Sequence, residues 1–249
     1  MKKLEVKNLH CSYAEKKALN DINFYVNENE IFSIIGPANA GKTTLLQCLN
    51  RMIELVPKAS VSGSIYLDAE SIQAHEASWL RRRIGMVAPL PVGLPMSIKD
   101  NVTYAPRMAG INDKTALEEI MVDSLTKASL WDEVKDRLDH VATKLSGGQQ
   151  QRLTIARALS HAPDILCLDE FSIAIDPVTT ARIEETLKEL KTQMTIILVT
   201  NINSQAKRLS DRTAMMFAGE MTDIEKTDAF FAGSVKNEIT LNFIEGKLG

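Results

Sequence analysis

Short apolar runs alternate with stretches of helical periodicity along this chain. Residues 31–35, Ile-Phe-Ser-Ile-Ile, are almost wholly apolar, as are residues 84–87, 165–168 and 195–199. A strand that is apolar at successive positions has both faces covered, so these runs predict a largely parallel, buried sheet. Residues 4–26 instead predict antiparallel strands joined by a turn. Helices are signalled between the runs. Asp176-Pro177 supplies an N-cap residue with proline at the first helical position, and Ile183, Leu187 and Leu190 then recur on one face. Residues 97–161 are mostly helical in pattern, behind the Pro/Gly-rich stretch Pro89-Leu90-Pro91-Val92-Gly93-Leu94-Pro95.

This alternation predicts an α/β fold: a mostly parallel sheet with helices on both faces, an N-terminal antiparallel β region and an inserted helical lobe. We expect one domain over residues 1–249, with its core from 1–88 and 162–249 and the lobe from 89–161. Composition narrows the function. With 29 Lys+Arg against 32 Asp+Glu, the chain lacks the basic excess of a protein that holds nucleic acid by bulk charge. Cys11, Cys48 and Cys167 show no metal-ligand spacing and are expected as small buried hydrophobes in a reducing compartment. No run approaches the roughly 18 apolar residues of a membrane span, so any role at a membrane needs a partner.

The chemistry sits at strand ends. Gly36-Pro37-Ala38-Asn39-Ala40-Gly41-Lys42-Thr43 fits G-x-x-x-x-G-K-[ST], between an apolar strand and a helical pattern carrying Leu45, Leu46 and Leu49. That is the context a phosphate-binding loop requires. Backbone N–H groups and a helix N-terminus face the phosphates of ATP. Lys42 reaches the β- and γ-phosphates, the Thr43 hydroxyl ligates Mg2+, and Thr44 completes the ATP-binding stretch. Downstream, Ile165-Leu166-Cys167-Leu168-Asp169-Glu170 ends a buried strand in two carboxylates. Asp169 is expected to hold Mg2+, directly or through water, and Glu170 to polarise the attacking water as general base. Alone, such a strand end equally suits a solvated acidic turn.

Between these motifs lies Leu145-Ser146-Gly147-Gly148-Gln149-Gln150-Gln151-Arg152. Ser146 and the two glycines can present backbone N–H groups at a helix start, a second anion site. The stretch matches the ABC signature, and the chain resembles ABC transporter nucleotide-binding subunits across essentially its whole length. That resemblance implies a head-to-tail dimer. The phosphate loop of one subunit and the signature of the other, here Ser146, Gly147, Gly148 and Gln149, would enclose each ATP. It places Asp176 in the D-loop, and Tyr13 where an aromatic stacks on adenine. Read from the residues alone, Tyr13 is also an ordinary half-buried strand tyrosine.

Further stretches resemble the ATP-binding subunit of phosphate importers. They include Leu49-Asn50-Arg51-Met52, Ser62-Gly63-Ser64-Ile65-Tyr66-Leu67-Asp68, Leu80-Arg81-Arg82-Arg83-Ile84-Gly85-Met86-Val87, Trp131-Asp132-Glu133-Val134 and the tail Phe243-Ile244-Glu245-Gly246-Lys247-Leu248-Gly249. That family implies phosphate uptake, two membrane permease subunits and an extracytoplasmic phosphate-binding protein, with this subunit peripheral on the cytoplasmic face of the cell membrane. Residues 97–112 would receive a helix from the membrane subunit. Arg81, Arg82 and Arg83 are read as a solvated basic helix end.

The chain also departs from that pattern. Asn39 stands where the family's loop carries glycine, a change eased by the tolerance of Asn for positive φ. Pro89 replaces a glutamine that touches Mg2+ and the attacking water. Asn201 replaces a histidine and keeps a hydrogen-bond donor but no charge. Phe171 replaces proline, and Ile173-Ala174-Ile175-Asp176 replaces Ser-Ala-Leu-Asp. Each lost donor to a charged transition state costs about 10²–10³ in rate, so ATP binding is expected to survive while turnover falls. Three readings stand: an importer motor working as a homodimer, a catalytically weak partner in a mixed dimer with an intact paralogue, and a soluble ATP-dependent regulator. Co-purification with a permease or a second ATP subunit separates them.

Overall fold

The computed structural model describes residues 1–247; Leu248 and Gly249, the end of the tail noted above, lie outside the described residues. Two sheets form. The first is antiparallel, in the order β2 (Lys16–Asn27), β1 (Lys2–Tyr13), β4 (Ala59–Leu67), β5 (Glu70–Ser71). The second has six strands, in the order β10 (Glu220–Lys226), β9 (Arg212–Phe217), β3 (Ile31–Ile35), β8 (Thr195–Thr200), β7 (Ile165–Asp169), β6 (Ile84–Val87). All neighbours in it are parallel except β10, which returns antiparallel to β9.

The apolar runs are explained by the pleat. Successive side chains of a strand point to opposite faces, and here both faces are core. Phe32, Ile34, Cys167, Ile197 and Val199 join one cluster with α1 (Lys42–Leu49) and the inner face of the antiparallel sheet. Ile31, Leu166, Leu168, Ile196 and Leu198 join another on the opposite side. All three cysteines are buried and free, and burial pushes the Cys167 thiol up to about 12.

After α2 (Ala77–Arg83), the chain leaves β6 and builds α3 (Ile98–Met108), α4 (Lys114–Lys127), α5 (Trp131–Val134) and α6 (Gly147–Leu159) before it returns as β7. Ile98, Val102, Leu125, Leu153 and Ala156 pack these helices onto the second cluster. Next comes α7 (Pro177–Leu190), with Asp176 as N-cap, its side chain accepting from Thr179 N at 3.0 Å, and Ile183, Leu187 and Leu190 buried. The short α8 (Asn203–Leu209), α9 (Thr227–Ala229) and α10 (Glu238–Ile244) close a third cluster around Ile35, Met215, Phe230 and Phe243.

The basic end of α2 is less solvated than its charge suggested. Arg81 donates to the carbonyls of Asn50 and Arg51, and Arg83 pairs with Asp68 and Asp164 while lying over Trp79. Only the backbone of the preceding segments and acidic residues remote in sequence could reveal those partners.

Candidate active site

Chemistry gathers at the carboxyl ends of β3 and β7, next to one another across β8. Gly36 leaves β3 with φ +149, and a Cβ there would sit 2.1 Å from the Met216 carbonyl oxygen, so only glycine fits. Asn39 takes φ +62, the left-handed region where Asn is among the best-tolerated residues. The loop then turns into α1, whose N-terminus no side chain caps. Its first N–H groups are the unpaired donors that make a helix start an anion site.

Lys42 is buried, and its Nζ donates to the carbonyls of Gly36 at 2.7 Å and Pro37 at 2.8 Å. Burial pulls its pKa down, while Glu170 and Asp169 oppose that. The Glu170 carboxylate lies 3.8 Å from the ammonium. Thr43 Oγ1 donates to Asp169 Oδ2 at 2.7 Å. Asp169 is 1% exposed, and burial, reinforced by the neighbouring Glu170, pushes its pKa up. A hydroxyl and a buried carboxylate in contact form a hard, oxygen-only donor pair beside a phosphate loop. Mg2+ takes such sites through one or two carboxylates plus substrate phosphates, so the residues present fit it.

Glu170 itself is held at φ +46, with its N–H donating to Val199 O at 2.8 Å. That left-handed conformation turns the chain sharply at the end of β7. A cleft of about 560 Å³ opens here, its wall formed by Tyr13, residues 38–44, Pro89 and Glu170. Tyr13 reaches it from the end of β1, its hydroxyl 3.1 Å from Thr44 Oγ1.

The structure brings the phosphate loop, Tyr13, Asp169 and Glu170 together, and leaves two other groups apart. Asn201 follows β8 at the same sheet edge, but its side chain is exposed and does not line the cleft. Ser146, Gly147, Gly148 and Gln149 also lie outside the cleft wall. There Ser146 caps α6: its Oγ accepts from Gln149 N at 3.3 Å, and Gln149 Oε1 accepts from Ser146 N at 3.1 Å. Gly147 faces open space. Gly148 abuts Ala174 in the loop that ends at Asp176.

Sequence reasoning passed over Lys16, Lys17, Ala18, Ala218 and Gly219, which complete the cleft wall. The lysine pair just past the turn after Tyr13 was a usable signal. Ala218-Gly219 offered none, since only the placement of β9 beside β3 brings it there.

A phosphate loop on β3, a carboxylate pair on β7 and a separate capped glycine helix start define a P-loop nucleotide-binding cassette. A family model described as ABC transporter matches residues 19–172. The chain belongs to the ABC transporter family and is an ATP-binding, ATP-hydrolysing subunit of that type. It is 44% identical over 248 residues to the phosphate import ATP-binding protein PstB 2 of Bacillus licheniformis, covering 99% of this chain and 90% of that protein. Against PstB of Bacillus cereus it is 44% identical over 247 residues, covering 98% and 91%. Among solved structures, the dimeric post-hydrolysis state of the cassette MJ0796 bound to ADP and Pi superposes with a TM-score of 0.79 at 26% identity, over 90% of this chain and 98% of that one.

Proposed function

We propose that this chain is the ATP-binding subunit of a phosphate importer, coupling ATP binding and hydrolysis at a head-to-tail subunit interface to phosphate uptake. One observation carries the reading. A single chain holds two half-sites, the cleft of the phosphate loop and the exposed, capped start of α6, and the second does not reach the first. A second subunit turned head to tail supplies what each cleft lacks. The near-full-length identity to phosphate import proteins favours the importer over a free-standing regulator.

In this reading the Lys42 ammonium exchanges its two loop carbonyls for phosphate oxygens when ATP binds. The amides of Ala40 to Thr44 orient the triphosphate. Thr43 and Asp169 would hold Mg2+, which would supply neutralisation of phosphate charge. Glu170 accepts a proton from the attacking water. Pro89 lines the cleft where the family resemblance leads one to expect a glutamine amide, and Asn201, which lies outside the cleft, carries no charge, so we expect slow turnover in the isolated dimer.

The permease partners are supported by a groove of about 400 Å³ between α2, β6, α3 and α6, lined by Gln47, Met52, Arg81, Met86, Ala105 and Arg157 among others. No carboxylate lines it, and Tyr104 and Met108, which flank Ala105 on α3, are exposed. It suits a helix from a membrane subunit. Among the described residues no helix is long and apolar enough to cross a membrane. The chain would therefore sit peripherally, on the cytoplasmic face, beneath two permease subunits fed by an extracytoplasmic phosphate-binding protein.

The test is ATPase turnover of the purified protein with Glu170→Gln as the blank. Activity above that blank is expected to be low and to rise about 10²–10³-fold in Pro89→Gln/Asn201→His. Wild-type turnover already at about 10 s⁻¹ or more, the middle of the usual enzyme range, would show that the altered positions do not limit the chemistry.

A further inference from the structure

The family match ends at residue 172, yet the phosphate loop is moulded by a hairpin that comes after it. Strand β9 runs parallel to β3 and turns back into β10 through Ala218 and Gly219, with Phe217 paired to Glu220. Both turn residues have positive φ, +47 and +84, as a two-residue hairpin turn requires.

Three contacts fix this hairpin against the loop. The Gly219 N–H donates to Ala40 O at 2.9 Å, in the middle of the phosphate loop. Asn20 N on β2 donates to Gly219 O at 2.8 Å, so the turn is held from the other side as well. The Met216 carbonyl sits so close to Gly36 Cα that a Cβ there would lie 2.1 Å from it. The first and last anchors grip the start and the middle of the loop. Ala218 and Gly219 also form part of the cleft wall.

We infer that the Ala218–Gly219 turn is a positioning element of the nucleotide site. The Ala40 carbonyl accepts the Gly219 N–H, which pins the middle of the loop to the turn. A carbonyl free to swing toward a triphosphate would repel it; one already bonded to the turn keeps the loop curled with its N–H groups available to the anion. Gly219 is needed twice over, for its φ and because a Cβ would meet Ala18 O at 2.7 Å. Any side chain there pushes the turn off Ala18 and takes the Ala40 anchor with it. This inference rests on the reading of the cleft as the nucleotide site.

Gly219→Ala tests it, with Gly233→Ala as a companion: Gly233 also has positive φ, +92, but a Cβ there meets nothing within 4 Å and the residue lies outside the cleft wall. Affinity for Mg-ATP is measured by calorimetry, and unfolding temperature without nucleotide is measured alongside. Gly219→Ala is expected to bind at least about tenfold more weakly, the equivalent of giving up one charge-assisted hydrogen bond from a loop amide. Its nucleotide-free unfolding temperature should fall, since Ala is strained at positive φ, as should that of Gly233→Ala, but Gly233→Ala should bind as wild type does. A folded Gly219→Ala with wild-type affinity overturns the inference. If Gly219→Ala does not fold, amide hydrogen exchange of the wild-type protein decides. Protection of the segment holding Met216 to Glu220 must rise together with that of the phosphate loop when Mg-ATP is added, and an unchanged segment overturns the inference. Wild-type protein that binds no Mg-ATP would instead bring down the nucleotide reading itself.

Discussion

Asp169 is a costly carboxylate to bury. It is buried, its pKa is pushed up by that burial and by Glu170, and a single hydroxyl donates to it. Without a cation the ionised form strains the fold. Asp169→Asn keeps the acceptor for Thr43 and removes the charge. It is expected to raise the unfolding temperature of the metal-free, nucleotide-free protein and to abolish the extra stability that Mg-ATP confers on wild type, both read by thermal denaturation. Loss of stability in the nucleotide-free variant would contradict this account. At this scale the site was legible wherever its chemistry is contiguous in sequence. Lys42, Thr43, Asp169 and Glu170 could be read because each motif carries its own context, a strand before and a helix or turn after. Asn39 was readable as a tolerable departure because positive φ is a local property, and the structure gives it φ +62. The Lys42 bonds to Gly36 and Pro37 were hidden, since they depend on the closed curl of the loop.

Among the elements, β3, β6, β7 and β8 were plain in the sequence because burial on both faces writes itself as an uninterrupted apolar run, whereas β9 and β10 of the same sheet were not read. Helix α6 was only partly readable. Its cap was visible as Ser146 with Gln149 three residues on, but not what lies behind it. Glu133 accepts from Arg152 at 2.6 and 3.1 Å and from Gln149 Nε2 at 2.9 Å, tying α5 to the signature. Arg152 is also bonded to Ser129 O at 2.6 Å and is 6% exposed, so it cannot easily find water instead. Glu133→Ala strands that guanidinium. Since the Glu133 side chain is 43% exposed, the cost is discounted from that of a fully buried pair to about 1–3 kcal/mol. Arg152 holds the Glu133 carboxyl below its usual value of 4.5. A depressed acid stabilises the fold above its unfolded pKa and loses that contribution as pH falls through the folded one. The stability gap between wild type and Glu133→Ala, measured by urea unfolding, should therefore be constant near neutrality and close on acidification below about pH 4.5. A gap that persists in acid would assign the loss to packing instead.

For the molecule as a whole, the proposal turns on two half-sites that do not meet within one chain. Ser146 and Gly147 are exposed, and among the described residues nothing lies within 4 Å of a Cβ placed on Gly147. Ser146→Arg removes a cap worth about 1 kcal/mol and plants a bulky side chain where a second subunit's ATP would rest. In a Glu170→Gln background, expected to retain ATP if Glu170 is the general base as proposed, the parent is expected to dimerise on ATP addition in light scattering. The Ser146→Arg form should stay monomeric while still binding ATP in its own cleft. Dimers of the Ser146→Arg form would show that subunits meet elsewhere.

The segment between β6 and α3 has a mechanical consequence. Pro89 lies in the cleft wall, and its neighbours are held by α6: Ala88 O accepts from Gln151, Val92 O from Arg157, and Gly93 N donates to Gln150. Proline fixes its own φ and carries no N–H to be rebonded, so the segment has little slack where it meets the cleft. If the cleft binds nucleotide as proposed, a displacement of its wall would pass to the signature helix through these bonds, and whatever seats in the groove beside α6 would act on the cleft by the same path.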